Sequence, residues 1–367
     1  MGDLPIGFFD HRVMVVDGVP VIFGGLTNGG VQTKRTYTAK SGTAAPKRIG
    51  DLNSWHGATN NQQGMGYIHN NKKLFAIGDP QGGGSTVADI LTLSTGIWSP
   101  GFSNVGTHGL SGVSPIYAKG YNLPFMAWGD SFSIDERLVM FNTGQTVTAF
   151  AGFSPSNAPR PFEQLMFTDD KYLWRIDGAQ NIGGNIVAVV MDSALPNNAF
   201  QGFKTATLFS DAAWWGNLAC GETYVPSLHF IFGGLTGAGG AASNKAWMLD
   251  TSNVAVPVST VIAPMPRVRC RATCHVLDNG LIAVIGGGDL RNIATSTPNN
   301  KVDLYYPYED RWIQGPDLPQ GAIWRHSSVK LPSGKIMIVG GSTGNNNATG
   351  AIWYLSRDGF SFTKADD

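Results

Sequence analysis

Short apolar runs that end in glycine punctuate this chain along its whole length. Val21-Ile22-Phe23 runs into Gly24-Gly25, Phe75-Ala76-Ile77 into Gly78-Asp79, Met126-Ala127-Trp128 into Gly129-Asp130, and Trp174-Arg175-Ile176 into Asp177-Gly178. Phe230-Ile231-Phe232 runs into Gly233-Gly234, Val284-Ile285 into Gly286-Gly287, and Ile338-Val339 into Gly340-Gly341. With residues 24, 78, 129, 177, 233, 286 and 340 as anchors, neighbouring copies stand 48 to 56 residues apart. Apolar runs this short, bounded by turn residues, read as strands buried on both faces. The last copy shows the surrounding pattern best. His326–Leu331 alternates into a first strand, Pro332-Ser333-Gly334 turns, and residues 335–339 form the apolar second strand. A polar loop leads to a third strand over 351–356, and Arg357-Asp358-Gly359 turns into a fourth over 360–364. Asp17-Gly18, Asn70-Asn71 and Asp278-Asn279-Gly280 mark the same first turn elsewhere, and Ser94-Thr95-Gly96, Asn142-Thr143-Gly144 and Tyr308-Glu309-Asp310 the later one. Such dipeptides and tripeptides are hairpin signals.

Each repeat therefore predicts a four-stranded antiparallel sheet. Second strands are expected near residues 19–24, 73–78, 124–129, 172–177, 228–233, 281–286 and 335–340. Seven repeats of this length consume all 367 residues, so the expectation is one domain over 1–367: an all-β, seven-bladed β-propeller with four antiparallel strands per blade. The first repeat, from His11–Val16 through Pro46–Leu52, carries its own four strands, as the last does. Leu4-Pro5-Ile6-Gly7 echoes Leu318-Pro319-Gln320-Gly321, so the ring is expected to close by packing the last blade on the first. The glycines have a backbone reason: where the second strand leaves its sheet the chain needs positive φ or a close approach to other backbone. A phosphate cradle would need a helix N-terminus after the glycines, and another strand follows instead.

The resemblance to a known family rests on these elements. An apolar strand, Gly-Gly, a variable loop, a tyrosine-bearing third strand and a later tryptophan resemble the kelch repeat. The sixth copy matches best, with Gly280 through Gly288, then Tyr305 and Tyr306, Trp312, and Leu318-Pro319. Copies three and four depart from it, with Gly129-Asp130 and Asp177-Gly178 in place of Gly-Gly. The resemblance implies a kelch-type propeller. An oxidase of the galactose oxidase type shares that fold, and by resemblance would need Tyr, His and Cys side chains converging on copper. The residues here cannot be mapped position by position onto that pattern.

Composition narrows function more than fold. Charged residues are only 14% of the chain, and 26 Lys+Arg balance 26 Asp+Glu. Without a basic run, nucleic-acid binding by counterion release is not expected. No apolar run is long enough to cross a bilayer as a helix. The N-terminus has no secretion-signal pattern, which suggests a cytoplasmic or virion protein, or a mature fragment. Cys220, Cys270 and Cys274 cannot make a disulfide framework; the expectation is small buried side chains, with no metal site and no cofactor.

Two sets of residues could carry binding. Aromatic and basic side chains precede the first strands: Phe8-Phe9-Asp10-His11, Trp55-His56, Trp214-Trp215 and Trp324-Arg325-His326. Trp55, His56, Trp214, Trp215, Trp324, Arg325 and His326 could stack on sugars or anchor a protein; the alternative is packing between adjacent blades. Asp79, Asp130 and Asp177 stand at equivalent second-strand exits and could converge at the channel mouth, or each could cap its own turn. Low charge and Asn/Gly/Thr-rich loops resemble bacteriophage virion components such as tail or fibre proteins. The leading expectation is thus a non-enzymatic binding or structural propeller, with virion proteins, host-surface proteins and glycans as partners. The alternatives are a carbohydrate-active or copper enzyme of the galactose oxidase type, and a cellular kelch adaptor.

Overall fold

The turn at Asp17-Gly18 shows how this sequence makes its sheets. Both residues take positive φ, 49° and 75°. That is the mark of a two-residue type I′ hairpin, whose twist matches the strands it joins. It pairs Arg12–Val16 with Val19–Phe23, Val16 opposite Val19. Thr36–Thr38 and Lys47–Arg48 complete a sheet in sequence order. The structure is a computed structural model. It describes residues 2–39, 45–55, 65–69, 73–78, 87–103, 111–118, 123–129, 137–141, 147–150, 165–168, 172–176, 186–192, 204–209, 218–219, 225, 227–236, 241–253, 256–290 and 295–364.

Among these, seven four-stranded antiparallel sheets follow one another along the chain, each in sequence order. There is no α-helix among the described residues, only a short 3-10 turn at Asn28–Gly30. No helix among them is long and apolar enough to cross a membrane. The second strands are Val19–Phe23, Lys73–Gly78, Leu123–Gly129, Tyr172–Ile176, Leu228–Phe232, Ile282–Ile285 and Ile336–Val339. Each falls within one residue of the expected position at either end. The outermost strands are shorter than expected: Lys47–Arg48 and Phe362–Thr363 stand where 46–52 and 360–364 were expected. They form sheet edges, and Lys47 and Arg48 are exposed, so packing does not extend them.

The second strands are apolar throughout because both faces are covered. In Ile336–Val339 all four residues are fully buried. Ile336 and Ile338 pack with Ala283, Ile285 and Leu304 of the sixth sheet, whereas Met337 and Val339 pack with Phe8, Val13 and Ile22 of the first. Ile282–Ile285 divides the same way: Ile282 and Val284 face Phe230 and Phe232 of the fifth sheet, Ala283 and Ile285 face the seventh. Strand alternation thus feeds two cores at once. First strands lie beside first strands: Arg12–Val16 contacts both Met65–His69 and Ser327–Lys330.

The Gly-Gly pairs sit at these sheet-to-sheet contacts. Gly340 and Gly341 have φ of 58° and 108°. The Gly341 N–H donates to the Phe8 carbonyl in the lead-in to the first sheet, at 2.7 Å. Gly287 does the same to Ile323 at 2.9 Å, and Gly234 to Arg269 at 3.0 Å, each in the lead-in to the next sheet. Leu4, Leu52, Met265 and Leu318 repeat a second contact, each donating its N–H to the preceding sheet's loop, at Gly350, Lys34, Asn244 and Asn300. The last sheet therefore meets the first as the fifth meets the sixth. Backbone hydrogen bonds join the side-chain packing there, and Asp3 adds bonds from the Ile352 N–H and Lys364 Nζ.

Candidate functional site

The lead-ins to the first strands place three charged residues at equivalent positions. Asp10, Arg271 and Arg325 each stand two residues before a first strand, with φ of 51°, 52° and 55°. The left-handed region costs a side-chain-bearing residue about 1–2 kcal/mol. The backbone links them: Asp10 N–H donates to the Arg325 carbonyl at 2.9 Å, and Arg325 N–H to the Arg271 carbonyl at 3.2 Å. The Arg325 guanidinium then grips the Asp10 carboxylate with both prongs, Nε to Oδ1 at 2.7 Å and Nη2 to Oδ2. Arg271 Nη1 stands 4.0 Å from the same carboxylate. Arg325 also lies over the rings of Phe9 and Trp324, 5.4 and 5.7 Å from their centroids.

Two histidines follow at the next position. Burial, then the nearby His326 and Arg12, holds His11 down to about 3, with the Val339 carbonyl opposing. Burial, then His275 and Arg269, does the same for His326. Both rings are neutral at pH 7. His326 Nε2 shares a 2.8 Å hydrogen bond with Thr273 Oγ1 of the neighbouring sheet. This corrects one expectation. Trp324, Arg325 and His326 are 0%, 4% and 6% exposed, so they form an internal joint between sheets and present no contact surface.

Trp55 is placed differently. It is 37% exposed and lines an open groove of about 710 Å³ with Ile6, Asn28, Val31, Gln32, Lys34, Arg35 and Asp51. One wall is a hairpin, Leu26–Thr27 paired with Val31–Gln32 around the glycine turn. Leu26 anchors it by exchanging both backbone hydrogen bonds with Phe9, at 2.8 and 2.9 Å. The hairpin tip is tied to the last sheet: Asn28 Oδ1 accepts from Ala348 N–H at 2.6 Å, and Gly29 N–H donates to the Asn346 carbonyl at 3.1 Å. The other wall is the lead-in over 51–55, held where Ser54 N–H meets the Asp89 carboxylate at 2.7 Å.

The charges in the groove are unequal. Asp51 is bound by Arg48 at 2.7 Å. Lys34 Nζ donates to the Asn53 carbonyl at 2.5 Å and stands 5.0 Å from the Trp55 ring centroid. Neither Lys34 nor Arg35 meets a carboxylate among the described residues. An exposed indole beside amide, hydroxyl and cationic donors can stack on a flat ligand face while bonding its polar edge. The hairpin had a local sequence signal, Asn28-Gly29. Its closeness to Trp55 had none, because the two walls are separated in the chain by the third and fourth strands.

Among the described residues no three His, Cys, Asp or Glu side chains gather where they could hold a metal ion. Cys270 and Cys274 are buried thiols, Cys274 within the strand Thr273–Val276. His56, Trp214, Trp215, Cys220, Asp79, Asp130 and Asp177 lie outside the described residues.

No protein-family model matches the sequence, and no curated protein matches it. Solved structures do. A fungal alcohol oxidase of the AA5 family, in complex with copper, aligns with a TM-score of 0.69 at 15% identity, covering 99% of this chain and 79% of its own. The structure of YjhT aligns with a TM-score of 0.58 at 13% identity, covering 99% of both chains. Both are kelch-type β-propellers. This chain has a propeller-like fold of that type. At such identities the likeness speaks for the fold, and no residue role is carried across. It also overturns the expectation that the chain is no enzyme, because a protein of this fold, matched over nearly all of this chain, is an oxidase. Neither structure supports a resemblance to virion proteins.

Proposed function

We propose that the chain is one closed ring of seven four-stranded blades over residues 1–367, and that it is a carbohydrate-active protein whose substrate lies in the Trp55 groove. The observation that carries this reading is the groove itself: an exposed indole among hydrogen-bonding side chains, in a space suited to a sugar of one to a few rings. The fold of the copper alcohol oxidase supports an enzyme of the same general class. The described residues do not fit a copper centre, so no redox step is assigned to them. The internal joint of Asp10, Arg271 and Arg325 links the lead-ins of first strands, and none of its three residues lines the groove.

The test is ligand-observed NMR with a panel of mono- and oligosaccharides and sugar alcohols. New resonances report turnover, and peroxide release is followed with and without added copper(II). Binding by at least one saccharide is expected, weakened about tenfold or more by Trp55→Ala, the loss of roughly one good stacking contact at 1.4 kcal/mol per decade. A panel in which nothing binds, or binding untouched by Trp55→Ala, would overturn the reading.

A further inference from the structure

The saccharide reading of the Trp55 groove leaves its charge unexplained. Asp51, the one lining carboxylate among the described residues, is taken by Arg48 from outside. Lys34 and Arg35 are adjacent in the chain, line the same space, and have no carboxylate partner among the described residues. Lys34 satisfies one proton with the Asn53 carbonyl and holds its ammonium 5.0 Å from the Trp55 centroid. Arg35 N–H is pinned by Thr33 Oγ1 at 3.2 Å, which fixes its backbone as it leaves the hairpin. A neutral sugar would use the indole and the amides and offer neither cation a carboxylate.

We infer that the groove selects an acidic saccharide, one carrying a uronic-acid carboxylate; the inference rests on the saccharide reading above. A sugar face lying on the indole would bring a ring carboxylate within reach of the Lys34 ammonium. The Arg35 guanidinium supplies the planar fork that pairs with a carboxylate through two parallel bonds. Such pairs are partly screened at the groove's surface, so the selectivity falls as salt rises.

The experiment is calorimetric titration of the full chain with a uronic-acid oligosaccharide, its carboxyl-reduced neutral counterpart, and inorganic phosphate, each in low and high salt. The acidic sugar is expected to bind about tenfold or more tighter than the neutral one at low salt, with the gap closing at high salt. Arg35→Gln and Lys34→Gln should each weaken the acidic sugar more than the neutral one and so shrink the gap. Trp55→Ala should weaken both sugars together. Equal binding of the acidic and neutral sugars, or a gap that survives both substitutions, overturns the acidic preference and leaves the saccharide reading standing. Phosphate binding as tightly as the acidic sugar overturns it too, since a bare anion would then suffice. If neither sugar binds, both readings fall.

Discussion

Replacing Gly340 with alanine tests whether the last sheet meets the first as the other sheets meet each other. Gly340 has φ +58°, and an added Cβ would lie 2.5 Å from the Phe8 carbonyl oxygen, 3.0 Å from His11 Cε1 and 3.1 Å from the Thr349 oxygen. Two costs follow. The left-handed backbone costs a side-chain-bearing residue about 1–2 kcal/mol. Forcing a methyl against backbone adds about 1–3 kcal/mol, because the Phe8 carbonyl is itself held by Gly341. The sum is about 2–5 kcal/mol. Gly18→Ala isolates the first cost, since Gly18 has φ +75° and no heavy atom within 4 Å of the added Cβ. Gly286→Ala is the internal equivalent, with Ile323 O at 2.7 Å and His326 Cε1 at 2.9 Å. Urea midpoints followed by tryptophan fluorescence should fall little for Gly18→Ala and further, by similar amounts, for Gly286→Ala and Gly340→Ala. If Gly340→Ala is as mild as Gly18→Ala, the first and last sheets do not hold this contact in solution.

The remaining predictions concern the core and the internal joint. Ile338→Ala should cost about 2–5 kcal/mol through lost burial and a cavity between the sixth and seventh sheets, read as a lower denaturant midpoint; an unchanged midpoint contradicts the two-core placement. Asp10→Asn keeps a residue that tolerates left-handed backbone but removes the carboxylate charge that the buried Arg325 guanidinium grips, so about 3–5 kcal/mol should be lost; a melting temperature equal to wild type would mean the Asp10 charge adds nothing to the joint. Below pH 6.5 the unfolded chain protonates its histidines while His11 and His326 stay neutral in the fold to about pH 3. Their contribution is therefore complete above pH 6.5 and lost as pH falls, at about 1.4 kcal/mol per unit per histidine. His326→Gln should flatten stability against pH over that range, and an unchanged slope would refute the neutral buried ring.

The repeat was legible because it is written in the strongest local signals available. A run such as Ile336–Val339 is apolar at every position, which a half-exposed strand cannot be, and a glycine pair follows where backbone meets backbone. Asp17-Gly18 names its own turn. The outer strands were less legible. Lys47–Arg48 has neither apolar content nor burial to mark its ends, so only pairing with Tyr37 and Thr38 defines it. The joint was half-legible: Trp324-Arg325-His326 stood out by composition, but composition does not separate a side chain stacked between sheets from one offered to a ligand. Asp10 is opposite in charge to Arg271 and Arg325 and much smaller, and what the three share is a backbone conformation that no residue type announces.

The groove was the least legible feature, for a topological reason. In an array of equivalent sheets, the loops after the second strand and the lead-ins to the next first strand emerge together, whatever their sequences. Residues 26–35 and 51–55 are therefore neighbours by construction, as Asn244, Asn300 and Gly350 are neighbours of Met265, Leu318 and Leu4 in the other described loops. Residues that preserve the repeat, such as Gly340-Gly341 or Leu318, serve the contacts between sheets. Specificity must then reside where one repeat departs from the others at loops that the fold brings together. In the first repeat those departures are Lys34, where the fifth and sixth repeats carry Asn244 and Asn300, and the exposed ring of Trp55. Both border one cavity, and neither side chain is needed to hold the second strand in place. A site there thus rests on what the fold does not require of these residues, and substituting them should cost ligand and not stability; a loss of stability instead refutes it.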